Sequence, residues 1–165
     1  ARALGVMLQA KHATLRDVYE ARAALEPAAV RTAAERRADV SALRKQLALE
    51  ESLLQDMPRF ATAVADFHLL VVELSGNTTL MIIAQALYNI VERHHSLVER
   101  SPAMEDGAAK RKRIRVGLKS HASLIELIQS GNSIAAEDHW RRHMAFSAEF
   151  WLAGEAGSVK IDVLD

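Results

Sequence analysis

His68, His121 and His143 each interrupt an apolar stretch with helical spacing. His68 follows Val64 and precedes Val71 and Val72. His121 sits between Leu118 and the Leu124–Ile125 pair, in a stripe that continues at Ile114 and Ile128. His143 comes after Trp140 and before Phe146 and Phe150. Gaps of 53 and 22 residues place them on three different helices. An imidazole buried among apolar side chains needs a partner for both ring nitrogens. Three that converge make a metal or anion site, because neutral imidazole is a common ligand for Zn, Ni and Fe, and three histidines leave positions open for water or a small molecule. The plainer alternative is three separate core histidines, each hydrogen-bonded to a carbonyl or carboxylate. Convergence decides between the two.

Other candidates are weaker. His139 lies one turn before His143 and could add a second ligand on that face. His94 and His95 are adjacent, so they cannot share a face, and His12 lies in the N-terminal lead-in. Glu92-Arg93-His94-His95 holds one Glu-x-x-His unit, but a di-iron carboxylate bundle needs two. His139-Trp140-Arg141-Arg142-His143 has Trp where a zinc protease places its catalytic Glu. Lys110-Arg111-Lys112-Arg113, with Arg115, could meet nucleic acid or an anionic partner, yet without interleaved aromatics it reads better as a solvated helix end. Arg22, one turn from Val18 and Glu26, could bind a ligand carboxylate bidentately. Its spacing equally suits a surface i,i+4 pair with Glu26, and spacing alone favours that pair.

The elements that carry these residues are helices. Three prolines and seven glycines punctuate 165 residues, and Ala, Leu, Glu and Arg dominate between them, which predicts an all-α fold. Residues 1–13 read as a linker or short helical lead-in, residues 14–154 as one helical domain, and residues 155–165 as a tail frayed beyond Gly154. A first helix spans about residues 15–36, with Val18, Leu25, Ala29 and Ala33 on one face and a bend expected at Pro27. Asp39 can cap a second helix carrying Leu43, Leu47 and Leu54. Pro58 opens a third, whose Phe60, Val64, Phe67, Val71 and Leu74 keep helical spacing. Gly76 and Asn77 then supply a C-cap and an N-cap for a fourth helix over about 78–100. Residues 101–107 form a loop. A fifth helix runs to Ser130, and Gly131 and Asn132 repeat the cap-to-cap turn before a sixth at about 133–152. Short turns between long helices imply antiparallel neighbours, hence a compact all-α bundle.

The totals exclude several classes. Lys plus Arg and Asp plus Glu both number 21, for zero net charge, so the chain as a whole lacks a nucleic-acid footprint. With 50% hydrophobic and 25% charged residues it is globular rather than disordered. The absence of cysteine removes thiolate sites and fits a cytoplasmic protein. No apolar run nears the roughly 18 residues of a membrane span, and no signal-peptide pattern opens the chain. A start at Ala1 without Met is what a domain cut from a longer protein, or a processed chain, would show.

Val18-Tyr19-Glu20-Ala21-Arg22-Ala23-Ala24-Leu25-Glu26-Pro27 resembles the opening helix of the FCD domain, the ligand-sensing half of FadR-type GntR transcriptional regulators. Phe67-His68 followed by Leu74-Ser75-Gly76-Asn77 is similar to that family's Phe-His…Ser-Gly-Asn segment. Ser120-His121 and His143 resemble its two later histidines. The likeness covers about residues 15–152. It implies an antiparallel bundle of six to seven helices that forms a homodimer, with a central pocket that binds a small organic acid, often through a divalent metal such as Zn or Ni. It also implies operator DNA binding by a winged helix-turn-helix that this chain does not contain. On the resemblance, His68, His121 and His143 fall on the metal-binding histidines and Arg22 on an arginine that lines the pocket. One position departs: the family's Asp, one turn before the Phe-His histidine, is here Val64. Asp66, two residues from His68, lies about 200° round the helix and points elsewhere.

The resulting expectation is a non-enzymatic sensor domain. The alternative is a metal-dependent hydrolase or lyase on the same three histidines, which would need a general base that no fixed spacing reveals. A helical interaction protein without a ligand is a third possibility.

Overall fold

The computed structural model describes residues 2–98, 107–152 and 156–161. Seven α-helices account for nearly all of them: α1 (Arg2–Ala10), α2 (Leu15–Glu35), α3 (Ser41–Ser52), α4 (Met57–Glu73), α5 (Thr78–Val98), α6 (Gly107–Ser130) and α7 (Ser133–Trp151). The fold is an all-α bundle. Helix α2 is its axis: it packs along α7 and also touches α4, α5 and α6. Of the loop expected at 101–107, residues 101–106 lie outside the described residues and Gly107 already opens α6; the side chains of His94, His95 and Phe150 also lie outside them.

Local chemistry explains the boundaries. Thr14 and Asp17 form a capping box at the start of α2, with Thr14 Oγ1 accepting from Asp17 N and Asp17 Oδ2 accepting from Thr14 N. Two cap-to-cap turns fold α5 back on α4 and α7 back on α6. Gly76 and Gly131 adopt φ of 68° and 76°, the left-handed conformation that glycine takes without steric cost. Asn77 then accepts from Leu80 N, and Asn132 from Ala135 N. Helix α2 runs unbroken through Pro27.

Of the two readings of the N-terminal lead-in, the helical one holds: residues 2–10 form α1, which packs on α5. Three other expectations are corrected. Val40, not Asp39, immediately precedes α3; the Asp39 carboxylate instead accepts from the Ser41 N–H and hydroxyl. Leu54 lies beyond the end of α3 and is exposed, because the chain turns towards Asp56, which caps α4. The tail is not frayed where it is described. Leu15 N donates to Val159 O, Ile161 N donates to Ala13 O, and Ile161 is buried beside Leu15 and Val18. Burial of that apolar side chain helps hold the strand-like segment against the start of α2.

The main core joins α2, α3, α4, α6 and α7 through Val30, Leu43, Phe67, Val71, Leu124, Ile128 and Trp140. Phe67 and Trp140 matter most for function, because both carry core packing directly onto the histidines.

Candidate metal and effector pocket

Helices α4, α6 and α7 bring His68, His121 and His143 to one point. All three are buried, and one ligand nitrogen from each lies within 4.8 Å of the other two. Among the described residues this is the one such cluster of potential metal ligands. Packing sets the ring orientations: His121 stacks on Phe67 at 4.0 Å between centroids, and His143 stacks on Trp140 at 4.3 Å. The Nε2 atoms of His68 and His143 are 3.3 Å apart. Two nitrogens of a tetrahedral zinc site, each about 2.0–2.1 Å from the ion, are separated by about 3.3–3.4 Å. The spacing fits either a shared proton or a shared cation.

Carboxylates stand behind two of the rings. Glu26 Oε2 is 2.8 Å from His68 Nδ1, and Glu50 Oε2 is 2.9 Å from His121 Nδ1. Bonding at Nδ1 leaves Nε2 of each ring directed at the cluster, the arrangement by which carboxylates orient metal-binding histidines.

Glu26 is the hub of a buried network. Its Oε1 accepts from Arg22 Nε at 2.9 Å and from the Tyr88 hydroxyl at 2.5 Å, and its Oε2 also accepts from Trp140 Nε1 at 3.0 Å. Burial alone would raise its pKa, but Arg22, then His68 and these hydrogen bonds, outweigh burial and hold it at about 2. Arg22 Nη2 also approaches His68 Nδ1, at 3.2 Å, while donating to Tyr88. Nδ1 cannot both accept from Arg22 and donate to Glu26; the ionised carboxylate, at the shorter distance, takes it.

Burial depresses the pKa of all three histidines. It brings His121 to about 3, against the pull of Glu26, and the neighbouring imidazoles push His143 further down. The rings are therefore neutral and keep lone pairs for a cation. Burial has the opposite effect on Glu50, raising it to about 8 despite the nearby His68. Glu50 Oε1, His121 Nε2 and His143 Nδ1 are buried without any hydrogen-bond partner. Orphaned buried polar atoms are rare, and three in one cluster mark a place built for something polar or charged. The donor set, neutral imidazoles with the Glu26 carboxylate and the Glu50 carboxyl group behind them, fits a divalent cation.

The cluster forms the polar end of a cavity of about 800 Å³, its open mouth included. Phe60, Ala61 and Val64 of α4, Ile114 and Leu118 of α6, and Phe146 and Trp151 of α7 make its walls largely apolar. Lys110 and Arg113, both partly exposed, also line it, whereas Arg111, Lys112 and Arg115 are exposed. The basic run is thus divided: part is the solvated helix end expected, and two of its cations serve the cavity.

The structure brings the three histidines together but puts Arg22 behind His68, beside Glu26 and outside the cavity lining. The Arg22–Glu26 pair is real but fully buried rather than on the surface. His139 turns away, with Nε2 at 2.9 Å from the Ser120 carbonyl oxygen. Val64 does face the cavity, and Asp66 is exposed on a different groove. Sequence reasoning missed Glu50. The signal was present, because Leu43, Leu47, Glu50 and Leu54 follow helical spacing and Glu50 holds an otherwise apolar position.

An all-helical bundle enclosing an apolar cavity with three histidines at its end defines a ligand-pocket domain. The family model of the FCD domain matches residues 17–146, and the chain belongs to that family. FCD domains are the effector-binding domains of GntR-family transcription regulators, not enzymes, which weighs against the hydrolase or lyase alternative. No curated protein matches the chain.

Proposed function

We propose that this domain senses a small organic acid for a FadR-type GntR regulator, and that the acid binds beside a divalent cation held by His68, His121 and His143. The observation that carries the reading is the cluster itself: three neutral imidazoles within 4.8 Å, with orphaned nitrogens on two of them. Zinc or nickel suits a nitrogen-rich donor set. A cation there supplies a positive anchor for a carboxylate. The apolar walls favour an acid with a hydrocarbon or aromatic body over a polyhydroxylated one, and Lys110 and Arg113 add positive potential for an anion.

Glu26 connects His68 on α4 to Arg22 on α2, Tyr88 on α5 and Trp140 on α7. A shift of His68 on ligand binding would therefore be felt on four helices at once. In this reading the domain acts as a homodimer in the cytoplasm, and the shift alters operator binding by a winged helix-turn-helix domain outside this chain. Such a switch requires the ligand to prefer one geometry over the other.

Isothermal titration of metal-loaded and metal-free domain with a panel of organic acids tests the reading. Binding of an apolar-bodied acid that disappears both on chelation and in His121→Ala supports it. Binding unaffected by either change rejects the site.

A further inference from the structure

We propose that Glu50 is the positioning carboxylate of the cation site, supplied from α3 where α4 offers none. The inference rests on the metal reading above. Val64 faces the cavity one turn before His68, while Asp66 and Glu73 of α4 are exposed. Glu50, by contrast, is completely buried at a position in a leucine stripe, where a leucine would complete the core at no electrostatic cost. A buried carboxylate persists when something compensates it. Here Oε2 meets His121 Nδ1 and Oε1 meets nothing.

A cation among the three histidines would provide that compensation. The bond at Nδ1 turns the orphaned His121 Nε2 towards the other two rings, and stacking on Phe67 with an interplanar angle of 4° fixes the ring plane. Glu26 treats His68 in the same way. Two of the three imidazoles thus have a carboxylate at Nδ1, one from α2 and one from α3. Glu50 itself lies outside the set of mutually close ligand atoms, so it acts through His121 rather than as a ligand.

The test is zinc titration of the metal-free domain against a chromophoric chelator, together with the visible spectrum of the cobalt-loaded form. Glu50→Gln lowers zinc affinity about 10–100-fold, as loss of an outer carboxylate does elsewhere, and leaves the cobalt band pattern unchanged. If Glu50→Gln does not fold, Glu50→Leu, which continues the leucine stripe, answers the same question. Unchanged zinc affinity in a folded variant overturns the proposal, and so does a cobalt spectrum showing a changed ligand set, which would make Glu50 a direct ligand. Wild-type domain that binds no zinc removes the metal reading and this inference together. Wild-type binding with an indifferent Glu50 variant removes the inference alone.

Discussion

His68 Nε2 and His143 Nε2 face each other at 3.3 Å in a buried site, with an unpartnered His121 Nε2 beside them. Each imidazole is kept neutral by burial, so no charge holds the three rings together. What assembles them is the packing of α4, α6 and α7 around Phe67 and Trp140.

The pH dependence of the metal-free domain should report the burial of these groups. Unfolded Glu50 ionises near 4.5, whereas the folded domain keeps its proton up to about 8, so the unfolded state loses the proton first and stability falls as pH rises through that window. The histidines act oppositely. The unfolded rings take up protons below about 6.5 that folded His121 refuses down to about 3, so stability also falls as pH drops through that range. Chemical denaturation in the presence of a chelator should give a maximum near pH 6.5. At 1.36 kcal/mol per pKa unit, the loss between there and pH 8 is about 2 kcal/mol. A flat alkaline side would show that Glu50 is not held protonated.

Glu26→Gln should destabilise the fold by about 3–5 kcal/mol, because it leaves the buried Arg22 guanidinium uncompensated. Urea unfolding at neutral pH measures it. The Arg31–Glu35 pair provides the contrast: it has the same i,i+4 spacing but is half-exposed, and Glu35→Gln should cost at most about 0.5 kcal/mol. Similar losses in the two variants would contradict the central place given to Glu26.

Lys110→Glu should weaken binding of an organic acid without changing zinc affinity, since Lys110 lines the cavity but lies outside the histidine cluster. For a partly exposed charge the effect is modest, about 0.5–1 kcal/mol, and it should shrink at high salt. Equal losses of acid and zinc binding would place Lys110 in the cation site instead.

Much of this organisation was legible from residue order. Gly76-Asn77 and Gly131-Asn132 marked two turns because few other residue pairs combine a left-handed C-cap with an N-cap. The histidines stood out because each broke an apolar stripe. Arg22 and Glu26 were harder to place. Spacing of i,i+4 fixes that two side chains share a helix face, but in the alanine-rich α2, which is surrounded by four helices, it does not say whether that face meets water. Glu50 was hidden for the converse reason: a lone acid in a leucine stripe looks like an exception until His121, distant in sequence, comes to meet it. The docking of Ile161 had no periodic signature, since it depends on two backbone hydrogen bonds and one buried side chain.

Zinc titration of the metal-free domain by calorimetry tests the central claim most directly, with His68→Ala, His121→Ala and His143→Ala run beside the wild type. One zinc per chain is expected for the wild type, with binding lost in each variant while helical circular dichroism persists. Absence of zinc binding by the wild type, or binding that survives all three substitutions, would contradict a cation site at the meeting point of α4, α6 and α7.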